Sequence, residues 1–170
     1  MKKTENNDEH LKFMDMAVHS SDKNLDTGLG GPFGAVIVRN GKLIACEGNT
    51  VTSSNDPTAH AEINAIRAAC KTLKTPSLEG CVMYTSCEPC PMCTSAIYWA
   101  KINIVYYGNT KTDAEWAGFG DTFISTELSK PLNDRSVQFK RIGTKNAIKV
   151  FERWMLMSDD EKEGTKKGTL

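Results

Sequence analysis

Leu11, Met14 and Val18 recur at helical spacing, so residues 9–23 read as an amphipathic helix. The glycine-rich turn Gly28-Leu29-Gly30-Gly31-Pro32 then leads into an apolar run over residues 34–39. Asn40-Gly41 follows, the dipeptide favoured in a tight type I′ turn, and residues 42–47 return, so the two runs predict an antiparallel hairpin. Asp56-Pro57 reads as an N-cap with proline at the first helical position, opening a helix through about Thr72. Residues 81–86 predict a short strand, 91–100 a helix started by Pro91, and 102–107 another strand. Strands alternating with helices in that rhythm imply an α/β fold with parallel crossovers. Beyond Gly108 the pattern weakens to a short helix near Ala114, a strand over 136–142 and a helix over 146–157.

Composition narrows the picture. A chain of 170 residues with 39% hydrophobic and 25% charged positions fits one domain with a real core. Residues 1–157 read as that domain, between a polar start over 1–8 and a charged, mobile tail over 158–170. The apolar stretches are too short to span a bilayer and the N-terminus has no apolar run for a signal peptide, so the cytoplasm is the expected location. Lys and Arg total 21 against 21 Asp and Glu, a balance that argues against a dedicated nucleic-acid binder. The six cysteines are Cys46, Cys70, Cys81, Cys87, Cys90 and Cys93. The last three crowd into seven positions, and without a secretion signal that points to metal chemistry before disulfides.

Two short motifs carry the chemistry: His60-Ala61-Glu62 and Pro89-Cys90-Pro91-Met92-Cys93. Each falls in the first turn of a predicted helix, where unpaired backbone N–H groups favour the thiolates that bind zinc. Cys90 and Cys93 lie three apart and share a helix face. With His60 they supply three protein ligands, leaving the fourth tetrahedral position of one Zn2+ per subunit to water or hydroxide. Glu62, two residues past the histidine, is placed to move that water's proton. His-x-Glu followed by Pro-Cys-x-x-Cys is the signature of zinc deaminases. A structural zinc held by His60, Cys87, Cys90 and Cys93 is the competing assignment, and it leaves Glu62 without a task. Cys46, Cys70 and Cys81 read as small core residues.

Through these residues the chain resembles the cytidine deaminase superfamily, and within it the guanine deaminases. The likeness runs through Gly30-Gly31-Pro32-Phe33-Gly34-Ala35, Asn55-Asp56-Pro57-Thr58-Ala59-His60-Ala61-Glu62 and Thr85-Ser86-Cys87-Glu88-Pro89-Cys90-Pro91-Met92-Cys93. It continues through Ala96-Ile97-Tyr98-Trp99-Ala100 and Ala117-Gly118-Phe119-Gly120-Asp121, and so covers most of residues 10–130. The resemblance implies a three-layer α/β/α sandwich with a five-stranded mixed sheet. It implies that Cys87 is not a ligand, that Asn49 and Asp121 contact the substrate edge, and that Phe33 and Trp99 form pocket walls. Backbone N–H groups near Ala61 and Cys90 would polarise the adduct. On sequence alone Asn49 is equally a turn residue, Asp121 a loop carboxylate or N-cap, and Phe33 and Trp99 ordinary core.

The expected activity is hydrolysis of guanine, a small purine, to xanthine and ammonia. An aspartate accepts from guanine N1–H and the exocyclic amine, while an asparagine amide donates to O6 or N7. The rival activities are deamination of a nucleoside such as guanosine or cytidine, or of adenosine in tRNA; the rival class is a structural-zinc binding module without turnover. Relatives of this kind form homodimers, and the resemblance allows residues 146–157 to be exchanged with a partner subunit. The charged, aromatic-free end departs from the pattern and weakens any lid contact from the extreme terminus.

Overall fold

The computed structural model describes residues 7–166. Helix α1, Asn7–Thr27, comes first. Strands β1, Gly34–Arg39, and β2, Lys42–Gly48, pair antiparallel through Asn40 and Gly41, both at positive φ as a type I′ turn requires. A short helix α2, Val51–Ser54, precedes α3, Ala61–Leu73. Then come β3, Cys81–Cys87, α4, Pro91–Trp99, and β4, Ile104–Asn109. The rest is helical: α5, Lys111–Trp116; α6, Thr122–Ser129; a 3-10 turn, Leu132–Asp134; α7, Lys145–Leu156; and α8, Asp159–Lys166. Of the two polar ends, residues 1–6 and 167–170 lie outside the described residues.

The sheet order is β2-β1-β3-β4, with β1 antiparallel to both neighbours and β3 parallel to β4 across the α4 crossover. The alternation of strand side chains sorts the core into two clusters. Ala35, Ile37, Cys81 and Met83 face α3 and α4, packing with Ala61, Ala65, Ala69 and Ile97. Val36, Val38 and Tyr84 face α1, packing with Phe13 and Ala17. The parity that sends Cys81 and Met83 toward α3 also sends Thr85 and Cys87 there. That parity aims the end of β3 at the site.

The described residues hold a mixed sheet of four strands, not five. Val137 and Phe139 alternate as a strand would, but residues 136–142 join no ladder. The start of the segment is held by side-chain bonds instead. Ser136 gives its N–H and hydroxyl to the Glu127 carboxylate, and Arg135 donates to the Leu128 and Lys130 carbonyls. These bonds tie the segment to the end of α6. The other difference lies before α3. Asp56 Oδ1 accepts from Thr58 N–H at 2.8 Å and its hydroxyl at 2.6 Å, closing an Asx turn. The helix therefore starts at Ala61, with His60 as its N-cap.

Candidate active site

The site forms where two helices begin. His60 caps α3 and Cys90 caps α4, with Pro91 at the first helical position of α4 and Cys93 one turn in. Neither residue spends its side chain on an ordinary capping bond: the His60 imidazole and the Cys90 sulfur turn instead to each other and to Cys93. His60 Nδ1 lies 3.6 Å from Cys90 Sγ and 3.6 Å from Cys93 Sγ. The three ligand atoms fall within 4.8 Å of one another, a cluster suited to one zinc ion. Cys90 is held below the ordinary thiol range, first by the hydrogen bond from Cys93 and then by His60, while Cys93, as the donor, is pushed up. His60 is raised by its bond to Cys90. Two cysteine sulfurs and an imidazole in contact make a donor set from which a divalent cation would displace the remaining protons.

Cys87 stands apart. Burial pushes its thiol up to about 11, and its Sγ faces the Thr110 carbonyl at 3.6 Å. It borders the cavity without joining the cluster.

Glu62 sits one residue into α3 and is buried. Thr85, delivered by the β3 parity, donates its hydroxyl to Oε1 at 3.2 Å, and Cys93 Sγ lies 3.5 Å from Oε2. Burial raises the carboxyl above its ordinary range. One oxygen is anchored and the other turned to the cluster.

His60, Glu62 and Cys90 open onto a cavity of about 460 Å³, ample for a small organic molecule. Asn49 and Asp121 also face it, from opposite parts of the chain. Asn49 Oδ1 accepts from Val51 N–H at 3.0 Å and Gly31 N–H at 3.3 Å, which fixes the amide orientation and leaves Nδ2 as the group it can offer. A Cβ at Gly30 would collide with this side chain and its carbonyl, so the close approach requires glycine. Asn24 Nδ2 adds a bond to the Asn49 carbonyl at 2.8 Å. Asp121 is the N-cap of α6, and burial raises it while Lys111 pulls the other way.

Phe33 lines the cavity; Trp99 does not. Trp99 closes the far end of α4, nine residues from Cys90 and 58% exposed. A helix rise of about 1.5 Å per residue carries it roughly 13 Å from the ligands. The aromatic facing Phe33 is Phe119, at 5.2 Å between centroids, and the Gly118-Phe119-Gly120 stretch was the only sequence hint of it. Ala61 is fully buried in the core below the cavity and lines none of it with its side chain. Lys111, Glu88 and Met92 complete the rim and were not foreseen.

Comparison with known proteins agrees with this geometry. The family described as "Cytidine and deoxycytidylate deaminase zinc-binding region" matches residues 7–109. A curated guanine deaminase of Bacillus subtilis is 49% identical over 145 residues, spanning 85% of this chain and 93% of that protein. The crystal structure of guanine deaminase from Bacillus subtilis superposes with a TM-score of 0.85 at 47% identity, covering 88% of this chain and 96% of that one. A tRNA-specific adenosine deaminase of Aquifex aeolicus is 40% identical over 123 residues, 72% of this chain and 79% of that protein.

Proposed function

The chain belongs to the cytidine and deoxycytidylate deaminase zinc-binding family, and from that premise we infer that it hydrolyses guanine to xanthine and ammonia. It is a hydrolytic enzyme acting on a C–N bond. The observation that carries the reading is one cavity joining the His60, Cys90 and Cys93 cluster to Glu62, Asn49 and Asp121.

His60, Cys90 and Cys93 would hold one zinc ion, which when bound would supply the Lewis acidity that lowers the pKa of water toward neutrality. The rest falls to the protein. Asn49 Nδ2 donates to the purine's O6 or N7, and Asp121 accepts from N1–H or the exocyclic amine; an analogue lacking those groups leaves both unpaired. Phe33 gives the ring an apolar face. Glu62, anchored by Thr85, takes one proton of the attacking water at Oε2 and gives it to ring nitrogen N3, then carries the remaining hydroxyl proton to the leaving amine. Water's oxygen becomes the new carbonyl as the C–N bond breaks, and ammonia leaves. The backbone N–H of Ala61, at the start of α3, would polarise the adduct.

The reading includes a three-layer α/β/α arrangement, supported by separate core clusters on the two sheet faces. It also includes a homodimer in which the α7 segment is exchanged between subunits, supported by Ile148, Phe151 and Met155, all exposed on α7. Among the described residues no helix is long and apolar enough to cross a membrane. A cytoplasmic location is supported by six cysteines none of which is paired in a disulfide.

Ammonia release from guanine by zinc-loaded protein, against metal-stripped protein, tests the function. Release that vanishes with the metal is expected. Folded, zinc-loaded protein that is silent on guanine but active on adenosine in tRNA would transfer the assignment to that class.

A further inference from the structure

A second cavity of about 250 Å³ adjoins the first. Phe33, Cys87, Ala114 and Phe119 face both. The two rings between them meet edge to face, with planes at 87°. Both rings are also packed on Gly31, where an added Cβ would come within 3.2 Å of the Phe33 ring and 3.4 Å of the Phe119 ring. The pair is a close-fitting partition rather than two loose side chains.

Building on the guanine reading, we propose that Phe119 determines substrate size at this site, admitting the free purine base and excluding the same base carrying a sugar. A purine is flat and apolar on its faces, so it slides along an aromatic wall at little cost. A ribose is thicker, and its hydroxyls would lose water against a ring edge that accepts no proper hydrogen bond. The second cavity is walled mainly by apolar groups such as Pro32, Trp116 and Ala117. Asn109 and Asp113 face it as well, a carboxamide and a carboxylate whose oxygen not bonded to Thr110 can accept from a sugar hydroxyl. Phe119 keeps that room out of reach. It is 46% exposed and holds no core residue in place, so its removal is compatible with folding.

The test compares ammonia release from guanine and guanosine by zinc-loaded wild type, Phe119→Ala and Phe119→Leu. Wild type should favour guanine strongly. Phe119→Ala should raise the guanosine-to-guanine ratio of kcat/KM by roughly tenfold or more, and Phe119→Leu by less, the scale on which pocket walls discriminate. Zinc content and the thermal midpoint serve as controls, since a merely structural role would move those and not the ratio. Two results would overturn the proposal: a wild type that accepts guanosine as readily as guanine, or a ratio unchanged in both zinc-replete variants. A wild type silent on guanine removes the functional reading itself, and the size filter with it.

Discussion

In the body, residues 7–109, Ile37 and Met83 are fully buried and the apolar side chains interlock on both faces of the sheet. In the arm, residues 111–166, Trp116 stays 91% exposed and Leu156 88% exposed. The only buried residue among the described positions of the arm is a carboxylate, Glu127. Its partners are polar as well, Lys130 and Ser136. The body is therefore held by the hydrophobic effect, and the arm by local hydrogen bonds plus whatever covers its apolar surface. The difference runs through the site. The His60, Cys90 and Cys93 cluster and Glu62 come from the body, as do Asn49 and Phe33 of the cavity wall, whereas Phe119 and Asp121 of that wall come from the arm.

Each half of that contrast can be broken separately. The largest effect should come from the body's chemistry: Glu62→Ala should lower turnover by roughly 10³-fold while the protein keeps its zinc. Ammonia assays paired with metal analysis check this, and undiminished activity would sink the proton-transfer role. Next comes the body's packing. Ile37→Ala should cost about 2–5 kcal/mol in denaturant unfolding, because it leaves a cavity between sheet and helices. A loss below 1 kcal/mol would mean that this face is not the core described.

The arm should respond differently. Replacing Phe151 and Met155 of α7 by serine should shift the protein from dimer to monomer in sedimentation while leaving body unfolding close to wild type. An unchanged dimer would exclude α7 from the interface. The smallest effect concerns Glu127, whose carboxyl is held down to about 2 by Lys130 and then by Ser136. Its folded pKa lies below its ordinary value, so its contribution is present above pH 4.5 and fades as pH falls through about 2. The midpoint difference between wild type and Glu127→Gln should shrink across that window; a constant difference would show that charge is not what matters there.

The same boundary divides what the sequence made legible. His60, Cys90 and Cys93 could be foreseen as a cluster because each motif sits at a helix start, and local spacing determines such starts. The hairpin was legible from Asn40-Gly41 for a similar reason. Residues 136–142 were misleading because alternation describes a side-chain pattern, while a strand also needs a neighbour with free donors. Here no strand lies alongside, and Glu127, nine residues back, holds the N–H of Ser136 at the start of the segment. Trp99, a pocket wall by resemblance, lies at the far end of α4 and off the cavity of the single chain, because resemblance marks a motif without saying which end of the helix a residue occupies. Phe119 was hidden by the reverse problem: its contact with Phe33 is long-range and no local pattern encodes it. Helix α6 escaped because its apolar residues stay exposed and leave little periodic signal.

The division also has a direction in time. A ribosome makes the chain from its N-terminus, so His60, Glu62, Cys90 and Cys93 emerge before any residue of the arm. Every strand of the sheet is complete by Asn109. At roughly 5–20 residues per second, the remaining arm takes several more seconds to appear. A cleft assembled from the body alone would lack its Phe119 and Asp121 wall and would leave the ligands open to metal from that side.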